Sequence, residues 1–443
     1  MEVKDLLITP VFLLLIYLAA FLIRDQVSDH ITRKYFIPAL TVKILGALAL
    51  GFIYQFYYGG GDTFTYFNMG SRQIWAAFQD SPLKAFQLIF ADNQFHAEIY
   101  QYSSKIYTYP DPASYFVVRI AGLFDLITFS TYSATALLFG ASSFSGMWAM
   151  FMAFYKYKPV IHKEFAISVL FVPSVFFWGS GLLKDTLTLG ALGWLTWSLF
   201  NLVVFKKSFL KSSVMLLISF YVIYIVKIYI LLCFVPAVII LLLLKNVQKV
   251  RQVALRILII PVVLIIAVLF GYLAVMKVGE DNHRYSLEKI SYTAESTARW
   301  ISYVSEREGG STYSLGDYDY STAGMIRKFI PAVWVTLFRP YLWESHNPVM
   351  LLSSLESTFF LLITGYFWFK SGALIFLRMI FKDPVIIFCF IFAIGFSFAV
   401  GFSTYNFGSL VRYKIPMIPF YLAGILLMRY YAIKKDLFRP TSG

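Results

Sequence analysis

Asp62 follows three consecutive glycines in Tyr57-Tyr58-Gly59-Gly60-Gly61-Asp62-Thr63-Phe64-Thr65-Tyr66, where an apolar run ends and a polar stretch begins. Glycine takes backbone conformations closed to other residues and lets a ligand come close. The carboxylate therefore stands on an uncrowded turn and is the candidate catalytic base. Other charged groups also stand at or near the ends of apolar runs. They are Lys184 and Asp185 after Gly179-Ser180-Gly181-Leu182-Leu183, Lys227 inside a long apolar stretch, Arg339, Glu344 and His346 in an aromatic segment, and Arg412 and Lys414 beside Pro416 and Pro419. Charges are costly in lipid and face one another or an aqueous cavity. Several cations gathered with carboxylates suit a phosphate-bearing lipid. Arg offers phosphate a planar fork of donors and Lys a point charge, both able to offset charge developing on a phosphate leaving group. A carboxylate opposite them can take a proton from an attacking hydroxyl.

Each group also has a purely structural alternative. Lys227 can snorkel to headgroups, and Arg412 and Lys414 can be interfacial anchors. Lys184 and Asp185 point about 100° apart on a helix, where Asp185 favours the helix N-terminus through its dipole. Arg339, Glu344 and His346 can simply fasten a re-entrant segment. Glu356, an acid inside an apolar run, faces the bundle interior.

The elements that must position these groups are membrane helices. The chain has 443 residues, of which 59% are hydrophobic, 19% aromatic and only 14% charged, far more apolar than a soluble domain. Apolar runs of about 20 residues are helical spans, not the alternating runs of about 10 that build barrels. The fold class is all-α, a polytopic membrane helix bundle. The formal net charge of +14 comes from short Lys/Arg clusters between apolar runs, the pattern that sets membrane orientation, so nucleic acid is not an expected partner. Cys233 and Cys389 both lie in apolar runs and suggest neither a disulfide framework nor a metal site. The first apolar run is too long for a cleavable signal peptide.

Taken in order, spans at 7–23 and 36–57 flank a turn with Arg24, Arg33 and Lys34, which the positive-inside rule makes cytoplasmic. A first external loop, 59–112, carries surface-lying helical segments. The 114–130 segment holds Arg119 and Asp125 and suits a buried or interfacial helix. Spans at 131–155, 164–178 and 186–205 follow, then an apolar stretch of about 30 residues interrupted by Lys227 and long enough for two short spans. After a span at 255–276, a polar, Tyr-rich second external loop at 277–328 is lid-like. Its 286–308 portion suits one amphipathic helix. The 329–343 run is read as a re-entrant or interfacial helix, and spans at 349–369, 384–402 and 415–429 complete the chain. The reading gives about eleven spans, with the N-terminus outside and the C-terminus inside. The regions are 1–276, 277–347 and 348–443.

Three stretches together resemble the GT-C superfamily of membrane glycosyltransferases. They are the acid after an early span at Gly59-Gly60-Gly61-Asp62, the hairpin Pro173-Ser174-Val175-Phe176-Phe177-Trp178-Gly179-Ser180-Gly181-Leu182-Leu183-Lys184-Asp185, and Arg412-Tyr413-Lys414-Ile415-Pro416-Met417-Ile418-Pro419-Phe420. The resemblance implies Asp62 as base, with Arg412 and Lys184 binding phosphate. It also implies transfer of a sugar from a polyprenyl-phosphate-linked donor to a glycan, lipid or protein acceptor outside the cytoplasmic membrane. The sequence departs from the common pattern in its extra first span and in a single aspartate where many members carry an acidic pair, which leaves a divalent-metal requirement open; no other cofactor is implied. A Wzy-type polymerase or ligase would use the external arginines similarly. From a different class, a glycolipid flippase would place charges near the midplane and show repeat symmetry.

Overall fold

A computed structural model describes residues 2–247, 295–296, 299–300, 303, 312–315, 322–346, 348–371 and 373–436. The span read at 255–276 and most of the loop read at 277–328 lie outside the described residues. The described chain is helical throughout, with one isolated bridge between Thr312 and Asn406. Among the described residues, seven helices are long and apolar enough to cross a membrane, or eight if a pair bent by 67°, Phe407–Tyr413 with Ile418–Ala432, counts as one span. The chain divides into two compact units, Met1–Ile228 and Tyr229–Gly443.

The first unit begins with α1 (Val3–Val27) and α2 (Arg33–Phe52), the latter continued by a wider helical turn to Tyr57. Five helices follow: α3 (Asp62–Tyr66), α4 (Arg72–Asp80), α5 (Pro82–Phe90), α6 (Tyr100–Ser103) and α7 (Pro112–Thr128). They close over Phe67, Ile74, Leu88, Tyr115 and Val118, so the polar stretch after Asp62 is a folded helical layer with its own apolar core. In α7, Asp125 is fully buried and accepts a hydrogen bond from the Thr135 hydroxyl at 2.6 Å. Arg119 stacks over the Tyr115 ring and donates to the Asn93 side chain and the Ala91 carbonyl. Both charges thus face protein, as their spacing within an apolar run predicts.

Helices α8 (Tyr132–Tyr157) and α11 (Lys184–Leu199, continuing to Phe205) form the spine of this unit. Small residues let their backbones touch: a Cβ on Gly146 would fall 1.9 Å from the Gly190 carbonyl oxygen, and one on Gly193 would fall 2.1 Å from that of Gly146. Lipid offers no hydrophobic drive between helices, so close backbone packing through small residues supplies the attraction. Between them, α9 (His162–Leu170) and α10 (Pro173–Trp178) replace the single span expected at 164–178, broken just before Pro173. α12 (Phe209–Val247) leaves helical geometry at Lys227 (φ −149°, ψ 71°), and this break lies where the first unit ends.

At the opposite end of the first unit, Asp29 ties the α1–α2 turn to α8. Its carboxylate accepts from the Tyr155 hydroxyl at 2.6 Å, from the Thr32 hydroxyl, and from the backbone N–H groups of Ile31 and Thr32. Burial alone would raise its pKa, but these donors outweigh burial and hold it at about 2 against an ordinary 3.8. A depressed carboxylate contributes stability that is fully present above pH 3.8 and lost as pH falls through about 2. Tyr155→Phe removes one donor and is expected to shift the acid limb of the melting curve to higher pH. A melting series from about pH 2 to 5 that is unchanged in the variant would contradict this assignment.

The second unit contains α13 (Thr322–Arg327), α14 (Phe329–Phe338), α15 (Pro348–Ser371), α16 (Ala373–Ile380), α17 (Pro384–Ser403), α18 (Phe407–Tyr413) and α19 (Ile418–Asp436). α14 is too short to cross a bilayer and packs on α17, where Gly401 lets the Ala332 carbonyl lie within 2.2 Å of a would-be Cβ. The Thr336 hydroxyl bonds to the Ala332 and Ser397 carbonyl oxygens there. Phe234, Phe388, Phe392 and Phe420 pack edge to face in the core.

Candidate functional site

The turn before Asp62 adopts the backbone that its composition predicts. Gly59, Gly60 and Gly61 have φ of 69°, 145° and 124°, all in the region that other residues rarely enter. A Cβ on Gly61 would also strike the Tyr54 ring at 2.7 Å. The turn starts α3, and α8 pins that helix in place: the Thr63 and Tyr132 hydroxyls bond at 2.8 Å, and Phe64 stacks on the Tyr132 ring at 4.4 Å. Asp62 is thereby held, exposed, in the first turn of a short anchored helix.

Lys184 opens α11, and its ammonium donates to the Asp111 carboxylate at 3.2 Å. Asp111 caps α7, accepting from the Ala113 and Ser114 backbone N–H groups and from the Ser114 hydroxyl. Burial would raise the Asp111 pKa, but the Ser114 hydroxyl and the Lys184 charge together hold it below the ordinary carboxylate value. The charges of Asp62 and Lys227 also act on Lys184. One residue further, Asp185 is buried and pairs with Lys227, their side chains 0% and 7% exposed. Asp62, Lys184, Asp185 and Lys227 thus gather with Asp111 within the first unit. In the outer part Asp62 and Asp111 are open to solvent and Lys184 is half-buried, whereas Asp185 and Lys227 form its buried floor.

Two members of this neighbourhood are absent from the sequence reading. Asp111 precedes Pro112, and an Asp before Pro at the first helical position reads as an N-cap. Lys43 stands alone in the apolar run of α2, which was signal enough. It is 3% exposed and donates to the Gly179 carbonyl at 2.6 Å and to the Ser143 hydroxyl at 3.1 Å. Lys43 therefore fastens the turn that leads into Lys184.

The remaining candidates lie in the second unit. Arg339 pairs with Glu344 through Nε at 3.1 Å and through a second, shorter contact, and it lies over the Tyr341 and Phe407 rings. Glu344 also accepts from the Tyr341 backbone N–H at 2.8 Å. Lys414 is fully buried, donates to the Ser357 hydroxyl at 3.0 Å and the Arg339 carbonyl at 3.3 Å, and feels the Glu356 charge. Arg412 is half-buried over the Tyr413 ring, and His346 is exposed. Arg339, Glu344, Glu356 and Lys414 form a second charged cluster.

Among the described residues no group of three or more His, Cys, Asp or Glu side chains is placed to hold an ion, and the cation on which both Asp62 and Asp111 act is Lys184. Comparison with protein-family models, curated proteins and solved structures finds no match to this chain.

Proposed function

We propose that the chain is an integral membrane glycosyltransferase. It would transfer a sugar from a polyprenyl-phosphate-linked donor to a glycan, lipid or protein acceptor on the external face of the cytoplasmic membrane. The carrying observation is the gathering of Asp62, Asp111 and Lys184, from three distant parts of the chain, where the α2 and α11 spans end. In this reading Asp62 takes the proton of the acceptor hydroxyl as its oxygen bonds to the anomeric carbon. The bond from that carbon to the phosphate oxygen breaks, and Lys184 offsets the charge left on the phosphate. The exposed Lys184–Asp111 contact is worth at most about 1 kcal/mol, so a phosphate can take the place of Asp111. About eleven spans, an outside N-terminus and an inside C-terminus belong to the same reading.

The test uses the full chain in proteoliposomes with a radiolabelled polyprenyl-phosphate-linked sugar. Transfer of label to acceptor is the expected result. Translocation of the intact glycolipid without transfer would instead support the flippase reading, which the buried cation Lys43 within a span favours. Arg412→Ala is expected to weaken donor binding roughly tenfold, the worth of one charge-assisted hydrogen bond. An unchanged titration would remove Arg412 from phosphate binding.

A further inference from the structure

A groove of about 530 Å³ runs along the first unit at the end remote from Asp62, between α1, α2, α8 and α11. Its volume lies within the range of roughly 300–1,000 Å³ typical of small-ligand sites. Its walls are apolar, with Leu40, Phe144 and Trp148 among them, and no carboxylate lines it. Two exposed lysines, Lys156 at the end of α8 and Lys211 at the start of α12, stand at its rim. Lys211 lies 5.8 Å from the Trp197 ring centroid, and the Trp194 indole N–H donates to the Ser145 hydroxyl at 3.0 Å. Trp148 donates to the Val27 carbonyl oxygen, which fixes the end of α1 against α8.

We infer that this groove binds one anionic glycerophospholipid, its acyl chains along α1 and α8 and its phosphate on Lys156 and Lys211. Three features select that occupant. The wall demands a hydrocarbon, because a polar ligand would lose hydration without gaining partners. The rim demands an anion, since both charged groups there are cations and neither faces a carboxylate in the groove. The length matches a single leaflet with its headgroups: on α8 the lining runs from Ala141 to Lys156, about 22 Å at 1.5 Å per residue, against roughly 40–45 Å for two leaflets with their headgroup regions. A polyprenyl tail would overrun it. Indoles near the rim sit at the level where Trp is enriched at membrane interfaces. The inference stands apart from the proposed sugar transfer and shares none of its residues.

The experiment titrates the purified full chain in detergent with phosphatidylglycerol brominated on its acyl chains, reading tryptophan quenching, and repeats it with brominated phosphatidylcholine. Each lysine near an anionic headgroup favours it about fivefold, so phosphatidylglycerol should bind roughly 25-fold more tightly. K156Q/K211Q should abolish most of that preference, and W148F/W194F/W197F, which removes the three indoles that line the groove, should remove most of the lipid-dependent quenching. Lys163→Gln, whose lysine is not among those lining the groove, should leave the preference intact. Equal affinity for the two lipids would overturn the site, as would an equal loss in Lys163→Gln. Displacement of the brominated lipid by an equimolar polyprenyl phosphate would overturn the choice of occupant.

Discussion

Asp185→Asn is expected to destabilise the protein by about 3–5 kcal/mol, the cost of leaving one member of a buried ion pair without its partner. Asp185 lies in the first turn of α11, and Lys227 lies at the break in α12. Their side chains are 0% and 7% exposed, so neither charge can be rehydrated when the other is removed. Lys227→Met should be comparably costly, because it strands the aspartate. Removing both charges is a different matter: well-packed apolar replacements of a buried pair are often neutral or stabilising. D185L/K227M should therefore regain most of the loss, giving a large coupling energy in a double-mutant cycle of thermal unfolding in detergent. Asp185→Asn within about 0.5 kcal/mol of wild type, the usual range of a surface substitution, would show that the pair carries no such role. Additive single effects would show that the two residues do not depend on each other.

The helical class and the placement of several candidate residues were legible in the sequence because they depend on local composition. Apolar runs set the spans, and three successive glycines permit the positive-φ turn that presents Asp62. Lys184 and Asp185 mark the start of α11 for a local reason too, since an acidic group favours the first turn of a helix. Partnership was not legible. Asp185 and Lys227 are 42 positions apart, Asp111 and Lys184 are 73 apart, and Lys43 and Gly179 are 136 apart. Hydropathy carries no information about which helix faces which. Asp111 was hidden because its local role, capping α7, fully accounts for an Asp before Pro112. The span count was the weakest reading for a related reason. A Pro173 break divides one expected span into α9 and α10, each too short to cross a bilayer. At Lys227 the chain leaves helical geometry, so the stretch read as two short spans is two helices joined end to end at a kink.

Asp62→Asn should lower sugar transfer by about 10²–10⁴-fold, the usual contribution of a positioned general base. Asparagine keeps the size of the side chain and the glycine turn but cannot accept the proton of the attacking hydroxyl. Donor binding should change little, because the phosphate contacts are assigned to cations. Asp111 supplies the control, since it lies beside the same lysine yet does another job. Asparagine is also a good N-cap, so Asp111→Asn should preserve α7, and loss of its charge frees Lys184 for the donor phosphate. Its transfer rate should stay within about tenfold of wild type, and its donor affinity should rise rather than fall. Single-turnover assays with a radiolabelled lipid-linked sugar separate the two variants, because binding and chemistry are read independently. If Asp111→Asn were inactive and Asp62→Asn near wild type, the base would be the carboxylate that caps α7. If both stayed active, no proton transfer would pass through this cluster, and Lys184 with its two carboxylates would be left as a structural clasp between α7 and α11.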